Sequence, residues 1–187
     1  RAARRLELAP HRRRRRAYDP VVAAERDPAP ALRPYVRRYY GFRETRPEPI
    51  RRHEGPGADV IVLLSFGFEW RIGDATRPSQ PWERCSSFVA GLHESSVLTE
   101  HDGRSYGMQI SLTPPGAYAL FGLPLHELAG RTVELDAVVG RHESRLPEQL
   151  AELDSWDERF ELLDATLAAR LVGARPASPG VVWAWRR

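Results

Sequence analysis

The chain has 187 residues, 42% hydrophobic and 28% charged, which suits one globular domain with a core of ordinary size. That balance excludes a disordered chain. The longest apolar run, Val60 to Leu64 continuing through Phe66 and Phe68, is about half the ~20 residues a bilayer-spanning helix needs. The net charge of +3 is uneven: residues 1–16 carry eight arginines and one glutamate, and the rest of the chain holds 20 arginines against 24 acids. The basic character belongs to the tail, and the body is mildly acidic.

All 28 basic residues are arginine, a sign of compositional bias in the genome more than of a basic functional surface. The tail, residues 1–19, is expected to be disordered, because it lacks hydrophobic periodicity and its like charges repel. It reads either as a phosphate-binding arm or as a solvated extension. No apolar stretch follows Arg12–Arg16, as a secretory signal would require. A single cysteine, Cys85, precludes an internal disulfide or a multi-cysteine zinc cluster and fits a reducing compartment. The expected location is the cytoplasm, with no membrane partner.

Residues 20–113 are expected to form a β-rich region. Pro20, Pro28, Pro30 and Pro34 mark an extended entry segment. Tyr35 to Arg43 has the aromatic and arginine composition of a strand, and Asp59 to Phe66 that of a strand buried on both faces. Phe68 to Ile72 continues or pairs with it. Residues 73–83 read as a polar loop. Ser87 to Leu92 and Val97 to His101 are short strands, and Asp102-Gly103 supplies a tight turn. In the returning strand Tyr106, Met108, Ile110 and Leu112 alternate with Ser105, Gly107, Gln109 and Ser111, the clearest period-2 signal in the chain.

From Thr113-Pro114-Pro115-Gly116 the pattern turns helical, with threonine placed to cap and proline tolerated in the first turn. Short helices are expected at Ala117–Phe121, Leu125–Ala129, Leu135–Val139 and Leu146–Leu153. Ser155-Trp156-Asp157-Glu158 is a capping box, and it opens a helix whose Phe160, Leu163, Leu167 and Leu171 form one apolar stripe. That stripe serves either a dimer or the monomer's own core. Residues 114–173 thus read as a helical connector, and 174–187 as a linker and the start of another helix with Val182, Trp183 and Trp185.

No residue set satisfies a catalytic pattern. His53-Glu54, His93-Glu94 and His101-Asp102 are adjacent pairs that point to opposite strand faces, not the i, i+2 ligands of a barrel metal site, so they read as turn and surface histidines. Cys85 and the serines lack a nucleophile elbow, and Gly55-Pro56-Gly57 lacks the rest of a phosphate-binding loop. No metal, cofactor or catalytic residue is expected. The aromatic residues Tyr40, Trp70 and Tyr106, with Arg38, Arg71 and Gln109 as polar groups, are the candidate lining of a small-molecule pocket. Core packing explains these aromatic residues equally well, and Tyr106, sharing a strand face with Met108 and Ile110, reads first as core.

Three segments carry a resemblance: Leu32-Arg33-Pro34-Tyr35-Val36-Arg37-Arg38-Tyr39-Tyr40-Gly41, Thr113-Pro114-Pro115-Gly116-Ala117-Tyr118-Ala119-Leu120-Phe121-Gly122, and Leu125-His126-Glu127-Leu128-Ala129 with Val133-Glu134-Leu135-Asp136. With the ending Val182 to Arg187, they resemble the amino-terminal regulatory region of AraC/XylS-type transcription regulators of an actinobacterial kind. The resemblance implies an α+β fold, with a barrel-like, cupin-like β half followed by a helical connector. It also implies a small-molecule effector, a homodimer, and DNA bound by a carboxyl-terminal helix-turn-helix domain beyond Arg187. No DNA-reading residue falls within this sequence, and Arg186 and Arg187 are confined to phosphate contacts. The competing expectation is a small cupin-like enzyme or binding protein.

Overall fold

A computed structural model describes residues 22–77, 79–140 and 145–185. The arginine-rich tail, Arg186 and Arg187 lie outside the described residues. Among the described residues, ten strands and five α-helices follow in chain order: β1 Val22–Arg26, β2 Val36–Thr45, β3 Ile50–Glu54, β4 Val60–Ser65, β5 Trp70–Asp74, β6 Glu83–Cys85, β7 Phe88–Ala90, β8 Val97–His101, β9 Arg104–Leu112, α1 Pro114–Phe121, β10 Thr132–Glu134, α2 Leu135–Val139, α3 Leu146–Glu152, α4 Trp156–Leu171 and α5 Pro179–Trp185.

The strands make two antiparallel sheets. The first has six strands in the order β1-β2-β9-β4-β7-β10, and the second four in the order β3-β8-β5-β6. The fold is therefore α+β, as expected. The cupin-like closure is not seen: among the described residues neither sheet closes into a barrel. Strand β10 also returns to the first sheet after α1, pairing with β7, so the β-rich part runs beyond residue 113.

Period-2 alternation decides the layers. On β2 and β9, Tyr39 pairs with Ile110 and Gly41 with Met108, while Phe42 pairs with Gly107 and Glu44 with Ser105. Successive residues point to opposite faces, so the first set looks one way and the second the other. Val62, Leu64, Met108 and Ile110 share a core with Leu120, Leu150, Phe160, Leu163 and Leu167 of the helices. Phe42, Leu63 and Phe88 pack instead against Trp70, Ile72 and Cys85 of the second sheet. The result is three layers, sheet on sheet on helices, with the six-stranded sheet in the middle.

Two glycines permit the close approaches this requires. A Cβ on Gly41 would lie 2.4 Å from the Trp156 ring on the helical side, and one on Gly107 would lie 2.2 Å from the carbonyl oxygen of Leu64.

Local signals hold where the motif is chemical. Thr113 caps α1 by accepting from Gly116 N, and Gly122 ends it in a left-handed conformation. Ser155 and Glu158 complete the capping box of α4. The apolar stripe of α4 is buried within the chain through Phe160, Leu163 and Leu167. Strands β1, β3 and β6 lie where the sequence gives no strand, and β10 lies within the expected helical connector. They are three to five residues long, too short to show a period of their own.

Helix α4 is tied to the middle sheet by two charged residues. Asp164 accepts hydrogen bonds from Tyr39 Oη (2.8 Å), the backbone N of Ala29 (3.1 Å) and Arg26 Nη2 (2.7 Å). Arg159, 4% exposed, donates to the carbonyls of Leu150 and Leu153 at the end of α3, and its guanidinium lies over Trp156, Tyr106 and Phe66 at 4.8, 5.5 and 5.6 Å. Carbonyls left unpaired at a helix end and aromatic faces both favour a cation. Burial and the bond to Asp164 push the Tyr39 phenol far above its ordinary range, so it stays protonated and donates.

Replacing Asp164 by alanine leaves the buried Tyr39 hydroxyl and the half-buried Arg26 without their acceptor. It is expected to destabilise the fold by about 2–4 kcal/mol, with Asp164→Asn costing less because an amide oxygen still accepts from Tyr39. Urea denaturation followed by circular dichroism measures both.

Candidate functional site

The space between the sheets is apolar at one end and charged at the other. Register places Tyr40, Phe42 and Glu44 of β2 and Ser105, Gly107 and Gln109 of β9 on the face toward the second sheet. From the second sheet, Arg52 of β3 pairs with Thr99 of β8, and Ile72 of β5 pairs with the same Thr99, so Arg52, Ile72, Thr99 and, two residues on, His101 look back at them.

Glu44, Arg52 and His101 meet at the charged end, 5%, 8% and 2% exposed. Arg52 Nη2 donates to Glu44 Oε2, and Arg52 Nη1 lies 3.1 Å from His101 Nε2. A guanidinium can only donate, so Nε2 is the acceptor and the imidazole is neutral with its proton on Nδ1. Glu44 Oε2 is 3.5 Å from the same Nε2, too long to reverse that assignment. Burial, then the neighbouring Arg52 charge, lower the His101 pKa, with Glu44 and Asp102 opposing. The paired Glu44 and Arg52 charges offset one another, as burial demands.

The Trp70 ring stands edge-on to His101, centroids 4.9 Å apart, and edge-on to Phe42 at 6.1 Å. Three side-chain atoms here are buried without a hydrogen-bond partner among the described residues: Trp70 Nε1, His101 Nδ1 and Ser105 Oγ. His101 also lines a cavity of about 520 Å³ at this end of the sheets, beside Phe68, Asp102 and Arg104. Its wall also carries Arg71, Glu100 and Arg84 of the second sheet's outer face: Arg71 binds Glu100 (2.6 Å), which also binds Arg51 (2.7 Å), Arg84 binds Glu69 (2.9 Å) and Arg104 binds Asp102 (3.2 Å).

The residues expected from sequence to line a pocket are distributed over three places. Tyr40 and Gln109 are register partners, both half-buried on the inter-sheet face, and Trp70 looks into the same space from the other sheet. Arg71 is on the outer face of the second sheet, bound to Glu100 and stacked on Trp82 at 5.4 Å. Tyr106 faces the helices, against Phe66 and Trp156. Arg38 is half-buried near the start of β2 and paired with Glu25 and Asp27.

His101 is not the turn or surface histidine its position beside Asp102-Gly103 suggested, although His53 is exposed. Glu44, Arg52, His101 and Ser105 were missed as a set. Glu44 in phase with Tyr40 and Phe42 was the available sign, a carboxylate on an aromatic face. Among the described residues no group of three or more His, Cys, Asp or Glu side chains is arranged to hold a metal ion. Cys85 is buried in β6, and burial beside Glu134, Glu83 and Glu69 pushes its thiol up to about 11, which leaves it a poor nucleophile at neutral pH.

An α+β domain with two facing antiparallel sheets and a buried polar set between them is thus the class this structure defines. Residues 24–134, from β1 to the end of β10, match the family described as a domain of unknown function, DUF6597. The match covers more than half of the chain, which belongs to that family. No curated protein and no solved structure matches the chain. Helices α2 to α5 lie beyond the matched segment, yet α3 and α4 cover one face of its middle sheet. Among the described residues, no helix is long and apolar enough to cross a membrane.

The neutral state of His101 has a pH consequence. A histidine whose pKa is lowered in the folded protein binds fewer protons there than in the unfolded chain. Its contribution is therefore full above its ordinary value of 6.5 and is lost as pH falls below it. Thermal melting is expected to weaken in that range, by at most about 1.4 kcal/mol per pH unit per proton. His101→Gln should flatten the decline. His93, also lowered by burial, would account for what remains. An unchanged profile in the variant would contradict the assignment.

Proposed function

We propose that this chain is the sensing and oligomerisation region of an AraC-type transcription regulator. It is non-enzymatic, acts in the cytoplasm, and works with a helix-turn-helix domain beyond Arg187 that binds DNA. Domains of its family are often found in AraC-type regulators. The two facing sheets serve as an opened counterpart of a cupin-like barrel and hold a small-molecule effector between them.

One structural observation supports this reading above others. The same strand, β2, presents Phe42 and Glu44 to the inter-sheet space and Tyr39 to Asp164 of α4 on the other side. An effector that favours one arrangement of β2 therefore acts on α4 through the next residues along the strand. Beyond α4, α5 packs on α1, and a second cavity of about 340 Å³ separates Val182 and Trp185 from Tyr35 and Thr113 at the start of β2 and of α1. The segment leading to the DNA-binding domain thus rests on α1, whose start adjoins the beginning of that strand through the Thr113–Tyr35 bond. The effector shifts the presentation of that domain only by its differential affinity for the two arrangements, and a tenfold difference is worth about 1.4 kcal/mol. The homodimer uses a surface other than the Phe160–Leu163–Leu167 stripe, which is buried within the chain.

The test is DNA retention by two purified products of the gene. The 187-residue chain alone is expected to retain no DNA sequence-specifically, and the product read on past Arg187 is expected to select sites from fragmented genomic DNA. A longer product that selects no sites would contradict the proposal.

A further inference from the structure

Strand pairing across the second sheet puts three arginines in one row with a single carboxylate. Arg51 of β3 is opposite Glu100 of β8, Glu100 is opposite Arg71 of β5, and Arg71 is opposite Arg84 of β6. Directly paired residues share a face, and Arg52 and Ile72 look inward, so the row lies on the outer surface of the sheet. Glu83 of β6 is opposite Ile72 and belongs to the other face. Glu100, with its side chain 13% exposed, binds both Arg51 and Arg71. Arg84 is left beside Arg71 with no acid of the row between them, and like charges directly opposite cost stability.

The remaining acids are loosely held. Arg84 binds Glu69 of the β4–β5 loop, and Arg104 binds Asp102, two residues before it, with the two carboxylate side chains 55% and 61% exposed. Ion pairs of this kind contribute little, and their acids turn readily to solvent. Arg71 is better fixed, between Glu100 and the Trp82 ring at 5.4 Å, and Arg51 covers the same ring at 4.7 Å. Four guanidiniums, Arg51, Arg71, Arg84 and Arg104, thus stand against three carboxylates, Glu69, Glu100 and Asp102.

Three of those guanidiniums border the cavity of about 520 Å³, a volume in the range of small-molecule sites. Phe68 and Pro49 add apolar wall, and Arg104 lies over the Phe68 ring at 6.0 Å. A guanidinium fork matches the paired oxygens of a carboxylate or phosphate, and it exchanges an exposed side-chain acid for a ligand oxyanion without losing its charge partner.

We infer that this cavity binds a small organic oxyanion, a carboxylate or a phosphate monoester, held by Arg71, Arg84 and Arg104 with its apolar part against Phe68 and Pro49. Binding turns Glu69 and Asp102 out to solvent and leaves Glu100 on Arg51 and Arg71. The site is on the outer face of the second sheet and goes beyond the sensing role proposed above, which does not depend on it.

The test is ligand-observed titration of the full 187-residue chain with benzoate and phenyl phosphate, and with benzamide as the uncharged comparison. Both anions are expected to bind with a Kd of roughly millimolar, and the tighter of the two identifies the oxyanion. Benzamide should bind at least about tenfold more weakly. Arg84→Gln and Arg104→Gln should each weaken anion binding about tenfold, the loss of one charge-assisted hydrogen bond. Both side chains are more than half exposed, so the variants keep the fold. Glu69→Gln should strengthen binding severalfold, because the ligand's competitor for Arg84 is gone. Arg77→Gln makes the same change in net charge at the Asp74 pair, outside the cavity, and should leave the Kd unchanged.

No binding of either anion, equal binding of benzamide, an unchanged Kd in both Arg84→Gln and Arg104→Gln, or an equal loss in Arg77→Gln would each overturn the assignment. None of these results bears on DNA selection by the longer product, and failure of that selection leaves the oxyanion site standing.

Discussion

Asp164 holds the helical layer to the sheet. Its carboxylate accepts from Arg26 of β1, from the backbone of Ala29 and from Tyr39 of β2, so one side chain of α4 fixes the first two strands and the turn between them. The tie is possible because the middle sheet is covered on both faces, which forces every second residue of β2 and β9 toward the helices. The intervening residues are left for the second sheet. Phe42 and Glu44 on one side and Tyr39 and Gly41 on the other are therefore neighbours in sequence that belong to different layers.

Polar chemistry follows the same division. On the helical side, Arg159 is surrounded by ring faces and helix-end carbonyls, and these contacts hold α3 and α4 in place. On the inter-sheet side, Glu44 and Arg52 offset each other's charge and set the tautomer of His101, while donor atoms of Trp70 and His101 stay unsatisfied. Stability is thus concentrated on the helical face of the middle sheet, where the buried charges are fully engaged, while the inter-sheet face holds buried donors that cost stability.

Much of the fold was legible in the sequence, for definite physical reasons. The alternation from Ser105 to Leu112, the Thr113 cap and the Ser155–Glu158 capping box are local patterns, and each is found where its chemistry places it. Strands β3, β6 and β10 were not legible, because they form through partners elsewhere in the chain. Of the residues expected to line a pocket, Tyr40, Gln109 and Trp70 face the inter-sheet side. Arg71 and Tyr106 do not, since a residue's face depends on which sheet its strand joins and in which register. Glu44, Arg52 and His101 come from three strands of two sheets, and only the sheet packing brings them together.

The central claim is that β2 links the inter-sheet space to α4. Amide hydrogen exchange in Glu44→Gln tests it, since that substitution unbalances the buried Arg52 charge on one face of β2 and touches nothing on the other. The account predicts faster exchange in α4 around Arg159 to Asp164, alongside β2 and β3. Changes confined to β2, β3 and β8, with α4 protected as in the unaltered chain, would contradict it.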